Sequence, residues 1–116
     1  MDKIKVLIAD DDSEFLKWCL RGMLTSDDGF SMQTALDEHS CMAKVRAEHF
    51  DVVLLDISFT SNGREGIGMI SKIHNVRPNT SIIMLTSLDD IATVDECIQA
   101  GAKDFISKEK IDTTTT

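Results

Sequence analysis

The stretch Val52-Val53-Leu54-Leu55-Asp56 decides the fold, because it is a short apolar run that ends in a carboxylate. A run of valine and leucine side chains without polar alternation is typical of a strand that is buried on both faces of a parallel sheet. The segment from Ile4 to Ala9 has nearly the same character and ends at Asp10-Asp11. We interpret both runs as central strands that carry acidic residues to one edge of a parallel sheet.

Strand-like and helix-like segments alternate along the rest of the chain, which predicts an open parallel sheet with helices on both faces. The first helix begins at Ser13, places its apolar residues on one stripe and ends at Asp27-Asp28-Gly29. Further helices are predicted over 39–49, 66–75 and 89–100, and further strands over 30–35, 82–85 and 105–106. The predicted fold class is therefore α/β, with five strands and four helices.

A fifth helix is expected to begin near Lys108, but the segment 109–116 is short and ends in four threonines, which are poor helix formers. The last helix is thus predicted to be short or missing, which would leave apolar surface exposed on one face of the last strand. We expect residues 1–116 to form a single domain that is a fragment of a longer protein, or whose exposed face a partner subunit covers.

Composition limits the classes of function. The chain has 116 residues, and its 12 basic and 20 acidic residues give a formal net charge of −8. Such a surface repels nucleic acid, so direct nucleic-acid binding by this domain is not expected. No apolar run approaches the ~18 residues that span a bilayer, so membrane association is not expected either. Cys19, Cys41 and Cys97 show no metal-binding spacing, which favours buried cysteines in a reducing compartment, the cytoplasm by default.

Polar residues follow four of the apolar runs, and they are predicted to meet around one ligand. The carboxyl ends of the strands of an open parallel sheet form one crevice, where ligands bind. Carboxylates that lie close together repel one another unless a cation relieves the repulsion, and Mg²⁺ prefers such oxygen ligands. Asp11 and Asp56 are predicted to bind Mg²⁺ directly, with Mn²⁺ as a substitute, and Asp10 to act through a bound water. The residues at the four strand ends are Asp10-Asp11, Asp56, Thr86-Ser87 and Lys108.

These four motifs, in this order at strand ends, resemble the receiver domain of two-component response regulators. The resemblance covers the chain from Ile4 to Lys108 and includes the segment from Ala100 to Phe105 that leads into the last strand. It implies a three-layer, flavodoxin-like sheet with the strand order 2-1-3-4-5. It also implies a phosphoacceptor switch rather than an enzyme that turns over a substrate.

The resemblance implies that Asp56 takes a phosphoryl group from a sensor histidine kinase or a histidine phosphotransfer protein. Mg²⁺ and Lys108 would offset the charge on the transferring group. Thr86, with Ser87 beside it, would offer a hydroxyl to the phosphoryl oxygens. The backbone carbonyl of Ser58 would complete the metal site.

The family's switch is carried over to Thr86 and Phe105. If Thr86 moves toward the phosphoryl group, it vacates space that Phe105 can turn into. The resulting change of surface would act on an output domain outside this segment or on a downstream protein. Pairing with a second copy of the chain is compatible with this role.

Two positions depart from the family pattern. The loop after Asp56, residues 57–66, lacks the usual proline, is longer than in most receivers and contains Arg64. Because this loop borders the site, we expect it to change phosphodonor choice, metal affinity or the lifetime of the phosphoryl group. The second departure is Glu109, which stands after Lys108 where proline is common.

Other functions remain open on the sequence. One is a receiver-like interaction module that is never phosphorylated, which the unusual loop favours. Another is a haloacid-dehalogenase-type phosphatase, which also uses a strand-end aspartate and Mg²⁺. That class needs a second aspartate two residues after Asp56, where this chain has Ser58. A flavodoxin-like mononucleotide binder is disfavoured because no phosphate-binding loop follows Ala9.

Overall fold

A computed structural model describes residues 3–26, 29–56, 65–86 and 91–108 of the chain. Within these residues the strands form one parallel sheet of five, in the order β2-β1-β3-β4-β5. The predicted α/β class and strand order are therefore confirmed. The elements are β1 (Ile4–Ala9), α1 (Ser13–Ser26), β2 (Phe30–Ala35), α2 (Glu38–Ala47), β3 (Val52–Asp56), α3 (Glu65–Val76), β4 (Ser81–Thr86), α4 (Ile91–Ala100) and β5 (Asp104–Ser107).

The core lies in two layers, one on each face of the sheet, because the central strands are apolar on both sides. On one face, side chains of β1 and β3 pack against α2, α3 and α4, with Cys41, Met69 and Cys97 among the buried residues. On the other face, α1 contributes Phe15 and Leu16 to a smaller cluster. The three-layer arrangement is thus confirmed.

The strands extend further than the apolar pattern predicts. Both β4 and β5 include polar residues at each end, and β3 continues through Asp56. Ladder pairing supplies the reason, because Asp56 is paired in register with Leu85 and Thr86 with Ser107. The backbone hydrogen bonds of a sheet do not depend on side-chain polarity. The predicted fifth helix falls on 109–116, outside the described residues.

Charged residues gather where β1 and β3 begin, at the amino end of the strands. The ammonium of Lys5 lies 2.6 Å from Glu48 Oε1 and 5.8 Å from the centre of the Phe50 ring. The backbone amide of Lys5 donates to Asp51 Oδ2 at 2.8 Å, and His49 Nε2 lies 3.5 Å from Asp51 Oδ1. We call Lys5, Glu48, His49 and Asp51 the amino-end cluster.

Two of the cysteines are buried, as predicted, whereas Cys19 is half-buried. Burial, followed by the charges of Glu38 and Asp37, raises the pKa of the Cys41 thiol to about 12, so it stays protonated at neutral pH. None of the described helices combines the length and apolar character that a bilayer crossing requires.

Candidate functional site

The predicted site residues that the structure describes stand at the carboxyl ends of neighbouring strands. Asp10 follows β1, Asp56 is the last residue of β3, Thr86 is the last residue of β4, and Lys108 follows β5. The backbone amide of Asp10 donates to Ala35 O at 3.0 Å, which ties the acidic segment to β2. Parallel pairing therefore brings these residues to one edge of the sheet. Ser58 and Ser87, which were also predicted, lie outside the described residues.

Three aspartates form a group of carboxylates at this edge. Asp10, Asp11 and Asp56 each offer a carboxylate oxygen, and these oxygens lie within 4.8 Å of one another. Asp10 and Asp56 are buried, whereas Asp11 is exposed. Several oxygen ligands, with one side open to water, suit a hard divalent cation such as Mg²⁺ that keeps part of its hydration shell.

The carboxylate of Asp12 caps the first helix, so the other three carboxylates are not needed for that task and can bind a ligand. Its Oδ1 accepts hydrogen bonds from the backbone amides of Glu14 at 3.1 Å and Phe15 at 3.2 Å. This is the usual task of an aspartate that precedes a helix. The amide of Asp12 in turn donates to Asp10 Oδ1 at 3.0 Å, which fixes the orientation of that carboxylate.

The ammonium of Lys108 lies between two of the aspartates. Its Nζ is 2.6 Å from Asp10 Oδ2 and 3.7 Å from Asp56 Oδ1, and the side chain is 24% exposed. The contact with Asp10 is a close ion pair rather than an aligned hydrogen bond, because Oδ2 accepts none from the described residues. We call Asp10, Asp11, Asp56 and Lys108 the carboxyl-end cluster.

Burial alone would lower the pKa of Lys108, because it disfavours the charged form. The contact with Asp10 and the negative charges of Asp56 and Asp12 act in the opposite direction and outweigh burial. The pKa of Lys108 is therefore raised above that of an ordinary lysine. A permanent positive charge is thus held beside the buried carboxylates at neutral pH.

The two residues predicted to form the switch differ in exposure. Thr86, the last residue of β4, is buried at 2% exposure. Phe105, on β5, is 46% exposed. An aromatic side chain on the surface can gain burial if space opens beside it. The arrangement fits the predicted movement, although the switch role itself stays a prediction.

An aromatic ring next to Lys108 was not predicted from the sequence. The ring of Phe15 lies under the ammonium, with 4.9 Å between Nζ and the ring centre. The ring of Trp18 stacks on Phe15, with centres 6.3 Å apart and planes inclined by 24°. Phe15 is one of the apolar residues on the predicted stripe of the first helix, and it is buried. Nothing in the stripe indicates that a lysine far along the chain contacts its ring.

The sequence as a whole matches a known family. A sequence model of the response regulator receiver domain matches residues 6–114. Transcriptional regulatory protein ZraR of Salmonella typhimurium is 31% identical over 109 residues, which are 91% of this chain and 23% of ZraR. Chemotaxis protein CheY of Thermotoga maritima is 33% identical over 104 residues, which cover 90% of this chain and 84% of CheY. The chain thus spans less than a quarter of ZraR but most of CheY.

Solved structures show the same similarity. A CheY-like receiver domain protein from Methanospirillum hungatei has a TM-score of 0.79 and 27% identity, over 98% of this chain and 94% of that one. A response regulator from Burkholderia pseudomallei, solved with a phosphorylated aspartic acid, a calcium ion and citrate, has a TM-score of 0.79 and 25% identity. That match covers 92% of this chain and 60% of the other.

Proposed function

Because the chain belongs to the response regulator receiver domain family of two-component signalling, we propose that Asp56 is its phosphoryl acceptor. The observation that carries this proposal is the position of Lys108, whose ammonium lies near both Asp10 and Asp56, two of the three carboxylates grouped here. Strand-end carboxylates with an adjacent cation form a place where a phosphoryl group can be held and its charge offset. In this role the domain is a switch that is modified, not an enzyme that turns over substrate.

The reaction is a transfer from a phosphohistidine, or from a small phosphodonor, to a carboxylate oxygen of Asp56. As the new phosphorus–oxygen bond forms, the bond from phosphorus to the donor breaks and its electron pair goes to the donor atom. That atom is the imidazole nitrogen of a phosphohistidine, the nitrogen of phosphoramidate or the carboxylate oxygen of acetyl phosphate. An acyl phosphate results. A carboxylate can act as the nucleophile directly, so the transfer needs no separate general base. The phosphohistidine belongs to a sensor histidine kinase or a histidine phosphotransfer protein.

Asp10, Asp11 and Asp56 are the residues that would hold Mg²⁺, or Mn²⁺ in its place, with the backbone carbonyl of Ser58 as a further ligand. The bound ion supplies positive charge next to the phosphoryl oxygens. The chain's own cation, Lys108, supplies positive charge beside Asp10 and Asp56 as well. The hydroxyls of Thr86 and of its neighbour Ser87 donate hydrogen bonds to the phosphoryl oxygens.

Once phosphorylated, Asp56 carries roughly −1.5 to −2 charges on its phosphoryl group. In the switch we propose, Thr86 moves toward this group and Phe105 turns from the surface into the vacated space. Phosphorylation favours that arrangement only to the extent that the phosphoryl group interacts better with it than with the starting one. The altered surface acts on an output domain outside this segment or on a downstream protein.

The test is incubation with acetyl phosphate or phosphoramidate and Mg²⁺, followed by intact mass measurement. We expect a gain of about 80 Da, one phosphoryl group, in the wild-type protein and none in Asp56→Asn. Asp51→Asn is the matched control, because Asp51 precedes the same strand at its other end. It should gain the same mass as the wild type. A gain that persists in Asp56→Asn would overturn the assignment, and no gain in any protein would favour an unphosphorylated interaction module.

A further inference from the structure

The ammonium of Lys108 contacts groups of two kinds. The carboxylates of Asp10 and Asp56 lie at 2.6 and 3.7 Å. The ammonium also lies over the face of the Phe15 ring, with the ring centre 4.9 Å from Nζ. A cation this close to an aromatic face is attracted by the negative potential above the ring. The ring therefore does more than fill space in the core.

Phe15 is itself held in place. Its side chain is buried in the cluster formed with Ile8, Leu16 and Leu85, and Trp18 stacks against it. Its backbone amide donates to the cap residue Asp12, so the first turn of α1 is fixed relative to Asp10. Because Trp18 packs against its ring and its backbone amide is hydrogen-bonded, Phe15 stays in place when the lysine side chain moves. The ring therefore provides a fixed surface for the ammonium.

A lysine needs such a support more than an arginine does. Its ammonium is a compact charge on a flexible stem of four carbons, and it can turn toward water with little loss. Lys108 is partly exposed, so a route to solvent exists. Electrostatic stabilisation of a transferring group works best when the charge is already in position before the reaction.

We propose that Phe15 is a positioning residue, whose ring keeps the Lys108 ammonium facing Asp10 and Asp56. The consequence for the reaction rests on the proposed function, in which Asp56 accepts the phosphoryl group. The contact itself does not depend on it. An experiment can therefore separate the two.

The first measurement is the NMR spectrum of the Lys108 side chain, which requires no phosphorylation. Protons above an aromatic face are shifted upfield, so the ε-methylene protons of Lys108 should resonate upfield of those of the exposed Lys3 and Lys103. Phe15→Leu should remove this shift, and Phe15→Tyr, which keeps the ring, should preserve it. Should Phe15→Leu fold poorly, Phe15→Met replaces it. A Lys108 shift that is the same with and without the ring would overturn the proposal.

The second measurement is the rate of phosphorylation by phosphoramidate with Mg²⁺, well below the melting temperature of each variant. Phe15→Leu should slow it roughly three- to tenfold, the effect of one cation–aromatic contact, and Phe15→Tyr should restore it. Phe50→Leu is the matched control, because it makes the same change beneath Lys5 at the far end of the sheet. It should leave the rate near that of the wild type.

The outcomes distinguish the two hypotheses. A lost Lys108 shift together with a slower rate in Phe15→Leu alone supports the positioning role. A normal rate in Phe15→Leu, or equal slowing in Phe50→Leu, overturns that role and leaves the proposed function intact. A wild-type protein that is not phosphorylated contradicts the proposed function, and with it any part of Phe15 in the reaction, whatever the NMR spectrum shows.

Discussion

Each end of the sheet carries a lysine in contact with a carboxylate and a phenylalanine ring, but the surroundings of the two lysines differ. At the carboxyl end, Lys108 lies 2.6 Å from Asp10 and over Phe15. At the amino end, Lys5 lies 2.6 Å from Glu48 and over Phe50. The lysine–carboxylate distance is identical. What differs is exposure, because Asp10 is fully buried, whereas Lys5 and Glu48 are 40% and 35% exposed.

This difference shows that a contact of this type does not by itself mark a functional site. Exposed ion pairs contribute about 0–1 kcal/mol to stability, because water screens them and ordering the side chains costs entropy. Buried carboxylates are costly to desolvate, and several of them together repel one another. A chain has little structural reason to keep three aspartates together, so the carboxyl-end cluster is the one that binding or chemistry must explain.

The largest effect is expected on the rate of phosphorylation when the same change is made at each of the two lysines. Lys108→Met should slow phosphorylation of Asp56 by roughly 10²-fold, because it removes a charge positioned at the transferring group. Lys5→Met, the same change at the amino end, should leave the rate within about twofold of the wild type. Intact mass at successive times gives both rates. Similar slowing in both variants would mean that the two ends do not differ in function.

An intermediate effect is expected from metal binding. With Mg²⁺ at one hundred times its Kd, the free energy of unfolding should rise by about 2.7 kcal/mol, because the ion binds only the folded state. The Asp11→Asn variant should lose most of this gain, because Asp11 is the exposed member of the three carboxylates that would hold the ion. Urea unfolding with Mg²⁺ and with EDTA measures it, and Asp51→Asn at the amino end is the control. An equal gain in Asp11→Asn would exclude Asp11 as a ligand.

The smallest effect concerns the amino-end cluster alone. The hydrogen bond from Lys5, then that from Gln33, lowers the pKa of Glu48. Because the folded pKa lies below the unfolded one, the stabilisation is complete above the ordinary glutamate pKa of about 4.3 and is lost as pH falls through the lower folded value. Glu48→Gln should therefore melt slightly below the wild type at pH 7 and together with it in strong acid.

High salt should also remove the difference in melting temperature between Glu48→Gln and the wild type at pH 7, because water and ions reach the Lys5–Glu48 pair. Thermal melts of both proteins across pH and salt are the measurement. A difference that survives high salt would show that the amino-end pair is less exposed to solvent than the structure indicates.

Much of the fold follows from local pattern. The apolar run that ends at Asp56 and the one that ends at Asp10 were predicted as central strands, and both lie inside the sheet. Strand ends were predicted less well, since Ser81 and Ser107 belong to strands through backbone pairing with their neighbours. Polar residues in such positions carry no apolar signal of their own.

The meeting of Asp10, Asp11, Asp56 and Lys108 was predicted because topology alone determines which strand ends share an edge. Their detailed geometry was not predicted. In particular, the sequence did not indicate that Lys108 lies nearer to Asp10 than to Asp56. That preference, like the ring of Phe15 beneath the ammonium, depends on side-chain rotamers and on packing between distant segments. The amino-end cluster was missed for the same reason. The metal-ligand, acceptor and switch roles stay predictions.

The pairing of Asp56 with Leu85 has a consequence for the thermal unfolding of the protein. Asp56 ends β3, the middle strand of the five, and is paired with Leu85 of β4, so its carboxylate is attached to a strand whose amides should be among the slowest to exchange with deuterated water. Fraying of helix ends would leave this part of the chain in place. Mg²⁺ affinity should therefore persist up to the temperature at which the sheet itself melts, and then vanish in one step.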